Sequence, residues 1–261
     1  MDHGLSNAEF DRLSRNFPYP RNGDCPTCGT TKRYRLDGEE RECNCERQKT
    51  LSRRYYAANI PRRYHQLDGT DFIPEYRRLN HGVVEAVDEY LLSFEYNYHY
   101  GRGLCFYGPL GTGKTLLATH VLKQTIKLGY SGYFIQFADL FHAWAASWKD
   151  EESKEEVERY MKRAQLLVLD DITTDKRNSE GFLQAGLEAI MRYRYNNNLP
   201  TILTTNMRET GSQSISEQFS RSYSLISGVT TWLTMEGADY RPTSLENTTY
   251  LVENQEKLPV K

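Results

Sequence analysis

The chain has 261 residues and a formal net charge of −2, with 38% hydrophobic and 26% charged residues. These values are typical of a soluble globular protein with one medium domain and a small additional unit. They exclude a global positive field that would attract nucleic acid, and no run of 18 apolar residues predicts a membrane span.

The N-terminal stretch MDHGLSNAEFDRLSRN contains no apolar segment of the kind found in secretory signals. We therefore expect a reducing cytoplasmic location and no membrane partner. In that compartment thiols are kept reduced, which disfavours disulfides as an explanation for clustered cysteines.

Four of the five cysteines fall in one short stretch, as C-x2-C, fourteen residues and C-x-C. Two close pairs on separate turns can hold one tetrahedral Zn²⁺, and a closed site of this kind is structural rather than catalytic. Between the pairs, KRYRL, DG and EERE predict a β-hairpin. Free or redox-active thiols are the alternative. The expected zinc ligands are Cys25, Cys28, Cys43 and Cys45, whereas Cys105 is expected to be a small core residue.

A basic segment follows, with six arginines and lysines and no acidic residue between Arg47 and Arg63. It can be helical up to Asn59, and Pro61 then ends or redirects the helix. It is either a solvated linker helix or a contact for phosphate or a partner. An amphipathic helix is predicted near Gly82–Phe94 from apolar residues at helical spacing.

From Gly103 onward, short apolar runs alternate with longer helical stretches: LCFY, TLLATHVLKQTIKL, YFIQF, LLVL, FLQAGLEAIMRYRY and TILTT. This alternation predicts an α/β fold with a parallel sheet flanked by helices. We expect four regions: a zinc-binding N-terminal domain for partner docking (1–50), a basic linker (51–80), a nucleotide-binding core (81–242) and a tail (243–261).

The segment GPLGTGKT lies between a predicted strand and a predicted helix and matches G-x-x-x-x-G-K-[ST] in full. Glycines let backbone N–H groups wrap phosphates, and the following helix N-terminus favours the same anion. Lys114 is expected on the β- and γ-phosphates of ATP, and the Thr115 hydroxyl on Mg²⁺. The predicted nucleotide contacts are Gly108, Pro109, Gly111, Thr112, Gly113, Lys114, Thr115, Leu116 and Asp170.

Two further strands end in polar residues, LLVLDDI and TILTTN. Ligands bind at the carboxyl edge of open α/β sheets, so these ends belong to the same site. Asp170 is the expected Mg²⁺ partner, and Asp171 the group that orients or deprotonates the attacking water. Asn206 is expected to hold that water or to contact the γ-phosphate. An ordinary strand end with a helix cap is the alternative for the aspartates.

The order GPLGTGKT, LLVLDDI, TILTTN resembles the AAA+ ATPases, and the spacing is similar to the DnaC/DnaI/IstB helicase-loader group, from about Leu104 to Arg241. NIPRRY (Asn59–Tyr64) looks like the segment before the core in that group, and the cysteine module resembles the zinc domain of DnaI-type loaders. The resemblance implies a AAA+ P-loop core without a full C-terminal lid. The tail 243–261 has no assigned role.

The resemblance also implies residue roles. Arg221, in SEQFSRSYS, lies where this group has an arginine finger that reaches a neighbouring subunit, which implies a ring or spiral. Leu225 occupies the region where these loaders often carry a second arginine. Arg241, in DYRP, is similar to the sensor arginine near the end of loader cores.

The resemblance implies single-stranded DNA as the nucleic-acid ligand. HAWAASWKD falls where loaders insert a helix facing the pore, so Trp148 can stack on a base and Lys149 can meet phosphate. Trp144 shares the face of Trp148, and core packing is the alternative for both tryptophans. Lys176 and Arg177 are a second candidate contact, with a solvated charged loop as the alternative.

Three functions stay open. The first is an ATPase that docks on a hexameric DnaB-type helicase and delivers it to single-stranded DNA during replication. The second is an IstB-like transposase helper that remodels duplex DNA. The third is an ATP-binding switch with little turnover, because Asp171 replaces the commoner glutamate and shortens the reach by one methylene. A GTPase is disfavoured, because no N-K-x-D motif is present.

Overall fold

The computed structural model describes residues 28–29, 31–36, 38–43, 45–65, 67, 74–140, 155, 162–173 and 180–241. Within these ranges the predicted α/β class is confirmed: a five-stranded parallel sheet is flanked by helices, and a small antiparallel hairpin precedes it. The predicted absence of a full C-terminal lid concerns residues beyond 241, which lie outside this description.

The predicted hairpin is present as β1 (Arg33–Leu36) and β2 (Glu39–Glu42). The strands pair antiparallel, with Arg33 opposite Glu42 and Leu36 opposite Glu39. All four residues of β2 are exposed. Strand β2 therefore contributes no buried side chain, whereas Tyr34 of β1 packs against the cysteines.

Helix α1 (Cys45–Ala57) begins in the cysteine module and continues into the segment predicted to be a linker. Its later part packs on the main core through Tyr55, and Ala58 and Ile60 follow in the same cluster. The N–H of Phe134 donates to the Ala58 carbonyl at 2.8 Å. Basic side chains such as Arg53 are exposed, whereas the apolar face of the helix is part of the core.

A short 3₁₀ turn (Arg62–Tyr64) and three helices lead to the sheet: α2 (Pro74–Leu79), α3 (His81–Leu92) and α4 (Phe94–His99). Helix α3 is the predicted amphipathic helix. It buries Val83, Val87 and Tyr90 at helical spacing, as the periodicity indicated.

The sheet consists of β3 (Gly103–Tyr107), β4 (Gly132–Gln136), β5 (Leu166–Ile172), β6 (Thr201–Thr205) and β7 (Thr230–Thr234). All neighbours pair parallel, in the order β4-β5-β6-β3-β7. Strands β5, β6 and β3 are adjacent, so their carboxyl ends bring the three sequence motifs to one edge of the sheet.

The helices of the core are α5 (Lys114–Lys127), α6 (Glu180–Asn196), α7 (Ile215–Gln218) and α8 (Ser220–Val229). Alternate strand residues face opposite layers, as pleating requires. Leu104 and Phe106 pack with α1, α3 and α5, whereas Cys105 packs with α6 and α8. Cys105 is fully buried, and burial raises the pKa of its thiol, so it is the core residue that we expected.

The amino edge of the sheet is held by a buried arginine. Arg194, on α6, donates to Thr201 Oγ1 at 2.8 Å, to the Pro200 carbonyl at 2.7 Å and to the Ala164 carbonyl at 3.1 Å. Burial lowers its pKa to about 9. These bonds tie the end of α6 to the chain segments that enter β5 and β6.

Candidate nucleotide-binding site

The GPLGTGKT loop leaves β3 and turns directly into α5. Gly111 and Gly113 have φ angles of 75° and 87°, which side chains with a Cβ rarely adopt. A Cβ at Gly111 would also overlap the Asp239 carboxylate. Thr112 is buried, and its hydroxyl donates to the Pro109 carbonyl at 2.9 Å, which braces the loop. The backbone is therefore shaped as a cradle at a helix N-terminus, an arrangement that fits phosphate.

Lys114, the first residue of α5, folds back over this loop. Its Nζ donates to the Gly108 carbonyl at 2.9 Å and also to the Pro109 carbonyl. Burial lowers the pKa of Lys114, while the carboxylates of Asp171 and Asp170 act in the opposite direction. The ammonium is thus held beside the cradle by neutral acceptors, which a triphosphate can replace.

The other predicted contacts divide by exposure. Pro109 is exposed at the tip of the loop, whereas Leu116 is partly buried against the apolar cluster between the sheet and α5. A nucleotide could meet the backbone of Leu116 at the start of the helix, but its side chain belongs to the core.

The two aspartates occupy a bulge in β5. Leu169 pairs with Leu203 and Ile172 pairs with Thr205, so Asp170 and Asp171 together oppose the single residue Thr204. Asp171 has a φ of 57°. The extra residue sends Asp170 inward, where it is buried, and Asp171 outward, where it is exposed. Two consecutive carboxylates therefore reach different parts of one site.

Thr204 holds the bulge, and sequence reasoning did not identify it. Its hydroxyl donates to Asp170 Oδ1 at 2.6 Å and accepts the N–H of Asp171 at 2.8 Å. Thr204 was interpreted only as part of a buried strand. The run of polar residues at the end of TILTTN could have indicated this role, because buried hydroxyls need hydrogen-bond partners.

Asp170 and Thr115 form the predicted magnesium pair. Thr115 Oγ1 donates to Asp170 Oδ1 at 2.9 Å, so a hydroxyl and a carboxylate from different elements meet at one point. Burial raises the pKa of Asp170, and the hydroxyls of Thr204 and Thr115 oppose this rise. Oxygen donors beside a phosphate cradle are the set that Mg²⁺ prefers, and a cation there would offset the burial of the carboxylate.

Asn206 follows β6 and is exposed. Its Nδ2 donates to Asp171 Oδ1 at 3.1 Å. The structure therefore brings together two of the four residues predicted to act in hydrolysis.

Arg241 lies beyond β7, where its guanidinium grips the Asp239 carboxylate at 2.7 and 3.0 Å. Asp239 packs against Gly111, so this pair lies beside the phosphate loop. The positive charge of Arg241 also contributes to lowering the pKa of Lys114. Asp239 is a second residue that sequence reasoning missed, because its partner in the loop is distant in the chain.

Arg221 lies near the start of α8 and faces solvent, with 85% of its side chain exposed. Glu188 Oε2 lies 3.9 Å from its guanidinium. Leu225, one turn later, is partly buried against the apolar cluster on the α6 side of the sheet. An exposed arginine is available to a neighbouring chain, and the finger role stays a prediction.

Tyr64 also approaches the site, which sequence analysis did not foresee. Its hydroxyl interacts with Thr115 and Arg63, and its pKa is raised by burial and then by the charge of Asp170. Buried Lys123 donates to the Tyr64 carbonyl at 2.9 Å and to the Leu67 carbonyl, which anchors this segment on α5. The NIPRRY pattern, which contains Tyr64, was the feature of the sequence that could have indicated this contact.

The cysteine cluster is a separate site. The sulfurs of Cys28, Cys43 and Cys45 lie within 4.8 Å of one another, and those of Cys28 and Cys45 are 3.6 Å apart. That separation is too long for a disulfide but close to the roughly 3.8 Å between thiolates on a tetrahedral zinc ion. Three of the four predicted ligands therefore fit a metal ion.

Several predicted site residues fall outside the described ranges. They are Cys25, Trp144, Trp148, Lys149, Lys176 and Arg177. Among the helices that are described, none is both long and apolar enough to cross a membrane.

Comparison with curated proteins gives two partial relatives. An insertion sequence IS21-like ATP-binding protein of Bacteroides fragilis (strain YCH46) is 34% identical over 70 residues, covering 27% of this chain and 35% of that protein. The replicative helicase loader DnaI of Bacillus subtilis (strain 168) is 24% identical over 106 residues, covering 41% of this chain and 33% of the loader. The chain thus matches about a third of the length of each.

Solved structures support the same fold. The DnaC helicase loader superposes with a TM-score of 0.58 and 25% identity, covering 67% of this chain and 100% of that one. DnaI superposes with a TM-score of 0.54 and 22% identity, covering 70% and 94%. Residues 40–214 match the family model described as IstB-like ATP binding protein. The chain therefore belongs to the IstB-like ATP-binding proteins, within the DnaC/DnaI/IstB group of AAA+ proteins.

Proposed function

We propose that this chain is an ATP-dependent loader that delivers a DnaB-type replicative helicase to single-stranded DNA in the bacterial cytoplasm, as a host or phage protein. The observation that carries the proposal is the match to the DnaC helicase loader over the whole of that structure. The similarity to the loader DnaI supports the same reading.

In this proposal the nucleotide site works through groups already in place. The loop 108–113 binds phosphate through its backbone, and Lys114 exchanges its carbonyl acceptors for phosphate oxygens. Thr115 and Asp170 would hold Mg²⁺, which would supply positive charge to neutralise the phosphates. Asp171, fixed by Asn206 at 3.1 Å, accepts a proton from water or orients it. Arg241 exchanges Asp239 for the nucleotide and thereby reports its presence.

The bulge gives Asp170 and Asp171 separate roles in the proposed mechanism. Because Thr204 holds both residues, Asp170 stays on the inner metal side and Asp171 on the outer water side. Aspartate is one methylene shorter than glutamate, which shortens the reach of Asp171. Its exposed position at the bulge compensates for this by placing the carboxylate nearer to the outer part of the site. The proposal therefore includes hydrolysis rather than binding alone.

The N-terminal module is proposed as the helicase-docking unit. Cys28, Cys43 and Cys45, with Cys25, would hold Zn²⁺ and give the exposed hairpin a fixed shape. The domain limits at residues 50, 80 and 242 stay proposals, and α1 joins the module to the core without a break.

Assembly and DNA contact complete the proposal. The exposed Arg221 would complete the site of a neighbouring subunit in a ring or spiral. Trp148 and Lys149 would face the single strand, with Lys176 and Arg177 as a second contact. The roles of Arg221, Trp148 and Lys149 rest on the resemblance to the loader group.

A second function is favoured by a specific observation. The IS21-like relative has the higher identity, 34%, and the matching family model carries the IstB description. An ATPase that assists a transposase on duplex DNA would use the same nucleotide site. The two functions differ in partner and in DNA substrate.

The experiment that tests the proposal is a pull-down of the replicative helicase from the source organism with the full chain, with and without ATP. Capture of the helicase, followed by ATP-dependent transfer to a single-stranded circle, is the expected result. Absence of capture in both nucleotide states, combined with ATP-dependent binding to duplex DNA, would instead support the transposase helper.

A further inference from the structure

The amino edge of the sheet carries a surface cluster that the nucleotide site does not use. Strand β3 begins there at Gly103, which pairs with Thr230 at the start of β7. The phosphate loop leaves the other end of β3, and five strand residues span about 16 Å. The cluster and the nucleotide site are therefore separate.

The cluster combines aromatic rings with an arginine. Tyr96 and Tyr100, both about half exposed, lie on and just after α4 with ring centroids 4.6 Å apart. The Arg102 guanidinium carbon lies 5.0 Å from the centroid of Tyr96 and 6.0 Å from that of Tyr100. His99 contacts Tyr100 edge to face at 4.8 Å. The rings are inclined to one another, so the cluster is a contoured surface that combines aromatic faces and edges with one guanidinium.

The backbone beneath the cluster is fixed. The N–H of Arg102 donates to the Asn97 carbonyl at 2.8 Å, and the Tyr90 hydroxyl donates to the Arg102 carbonyl at 2.8 Å. Gly101 is buried with a φ of 64°, and a Cβ there would lie 2.8 Å from Asn198 Cα. The side chains are thus presented from a rigid support, which lowers the entropy lost on binding.

A groove of about 380 Å³ opens beside the cluster. Tyr100 and Arg102 form one wall, and the end of α8 with the start of β7 forms the other. The second wall consists of Ser227, Gly228, Val229, Thr230 and Thr231. The groove therefore offers a ring face, a cation, hydroxyls and the carbonyl end of a helix within one space.

We propose that this groove binds an unpaired nucleotide of single-stranded DNA, with the base on Tyr100 and its phosphate near Arg102. A ring face next to a guanidinium suits any base, because stacking does not depend on sequence. The hydroxyls and helix carbonyls offer partners for base edges. A paired base cannot present its face in this way, so single strands are preferred over duplex.

The inference rests on the proposed function only in expecting single-stranded DNA as the substrate class. It places a contact at the amino edge of the sheet, opposite the carboxyl edge that holds the nucleotide site.

The test measures binding of a fluorescein-labelled oligothymidine to the full chain by anisotropy at fixed salt. We expect Tyr100→Ala to weaken binding by roughly 10-fold or more, as for loss of one stacked base. Tyr100→Phe keeps the ring and should bind within about two-fold of the wild type. Arg102→Lys keeps the charge without the planar face and should give an intermediate loss.

Photo-crosslinking supplies an independent readout that needs no variant. An oligonucleotide with 5-iodouracil should crosslink to the peptide that carries Tyr96 and Tyr100, and duplex DNA of the same sequence should not. Unchanged affinity in Tyr100→Ala, or crosslinks confined to other peptides, would overturn the inference. ATP binding and helicase capture are measured on the same variants, and their retention separates failure here from failure of the proposed loader.

Discussion

The cysteine module and the nucleotide site are two ligand sites built on very different amounts of core. In the described part of the module, the buried side chains are Cys28 and Cys45, and the second hairpin strand is fully exposed. The nucleotide site instead lies on a sheet whose strands β3, β5 and β6 are almost entirely buried. The described module has little core of its own to hold its cysteines in place, whereas the nucleotide site is supported by the buried sheet.

This difference indicates which interactions stabilise each region. If the module binds zinc as proposed, ligation would supply stability that two buried thiols cannot, and metal and fold would be lost together. The nucleotide site can carry strained or costly features, such as the positive φ of Asp171 and the buried Asp170, because the surrounding core supports them.

The largest effect is expected from metal removal. Chelation should unfold the module, because ligation of a structural zinc contributes free energy on the order of 10 kcal/mol. Hydrogen exchange should show loss of protection in β1 and β2, while β3 to β7 stay protected. Helix α1 should melt only at its start, because Tyr55 is held in the main core.

The matched control is Cys105→Ala, which removes a buried thiol without removing a ligand. It should retain one zinc per chain by metal analysis, whereas Cys43→Ser should not. A chain that begins at Thr50 should bind ATP but lose helicase capture. If metal analysis finds no zinc in carefully reduced protein, the proposed difference between a metal-organised module and a preformed nucleotide site is wrong.

The next largest effect is expected for Lys114→Ala. Loss of the ammonium removes charge-assisted bonds to phosphate, so ATP affinity should fall on the order of 100-fold. The melting temperature should change little, because the lysine is bound to loop carbonyls and not to the core. Titration with a fluorescent ATP analogue measures this, with Lys127→Ala on the same helix as control. Wild-type affinity in Lys114→Ala would sink the assignment of the site.

Arg221→Ala should spare ATP binding and lower turnover of the assembled protein by about 10³-fold, as expected for an arginine finger. Arg192→Ala is the control, because Arg192 also contacts Glu188, at 2.7 Å. Mixing Arg221→Ala with Lys114→Ala subunits should restore some activity, because each supplies what the other lacks. A co-assembled mixture without recovery would show that Arg221 does not act on a neighbour.

The smallest effect concerns stability. Burial raises the pKa of Asp170, so its protonation favours the nucleotide-free fold, and this contribution is lost as pH rises through that pKa. Asp170→Asn should therefore stabilise the nucleotide-free protein at neutral pH by about 1 kcal/mol while abolishing Mg²⁺-dependent hydrolysis. Thermal melts across pH measure this. Asp171→Asn, at an exposed position, should not stabilise; equal stabilisation by both would contradict the burial argument.

Much of the nucleotide site could be predicted, because its residues are contiguous and their chemistry is local. GPLGTGKT and LLVLDDI specify a loop and a strand by pattern alone, and the structure has both. The bulge could not be predicted, because no glycine marks it and it depends on Thr204 in another strand.

The last strand of the sheet was also not predicted. Strand β7 follows α8 without a turn signal, and TTWLT is only half-buried at the sheet edge, so its pattern is weak. The packing of Tyr55 and Ile60 on the core was obscured by the arginines around them. In both regions local composition was outweighed by contacts between distant parts of the chain.

The contact between the phosphate loop and the end of the core has a consequence for synthesis. The N–H of Met235 donates to the Tyr107 carbonyl, and that of Tyr240 donates to the Gly111 carbonyl at 3.0 Å. Asp239 packs against Gly111 from the same segment. A nascent chain that has passed Thr115 therefore holds the whole motif but not its final shape. The contacts with residues 235–240 that shape the loop can form only after that segment has been synthesised.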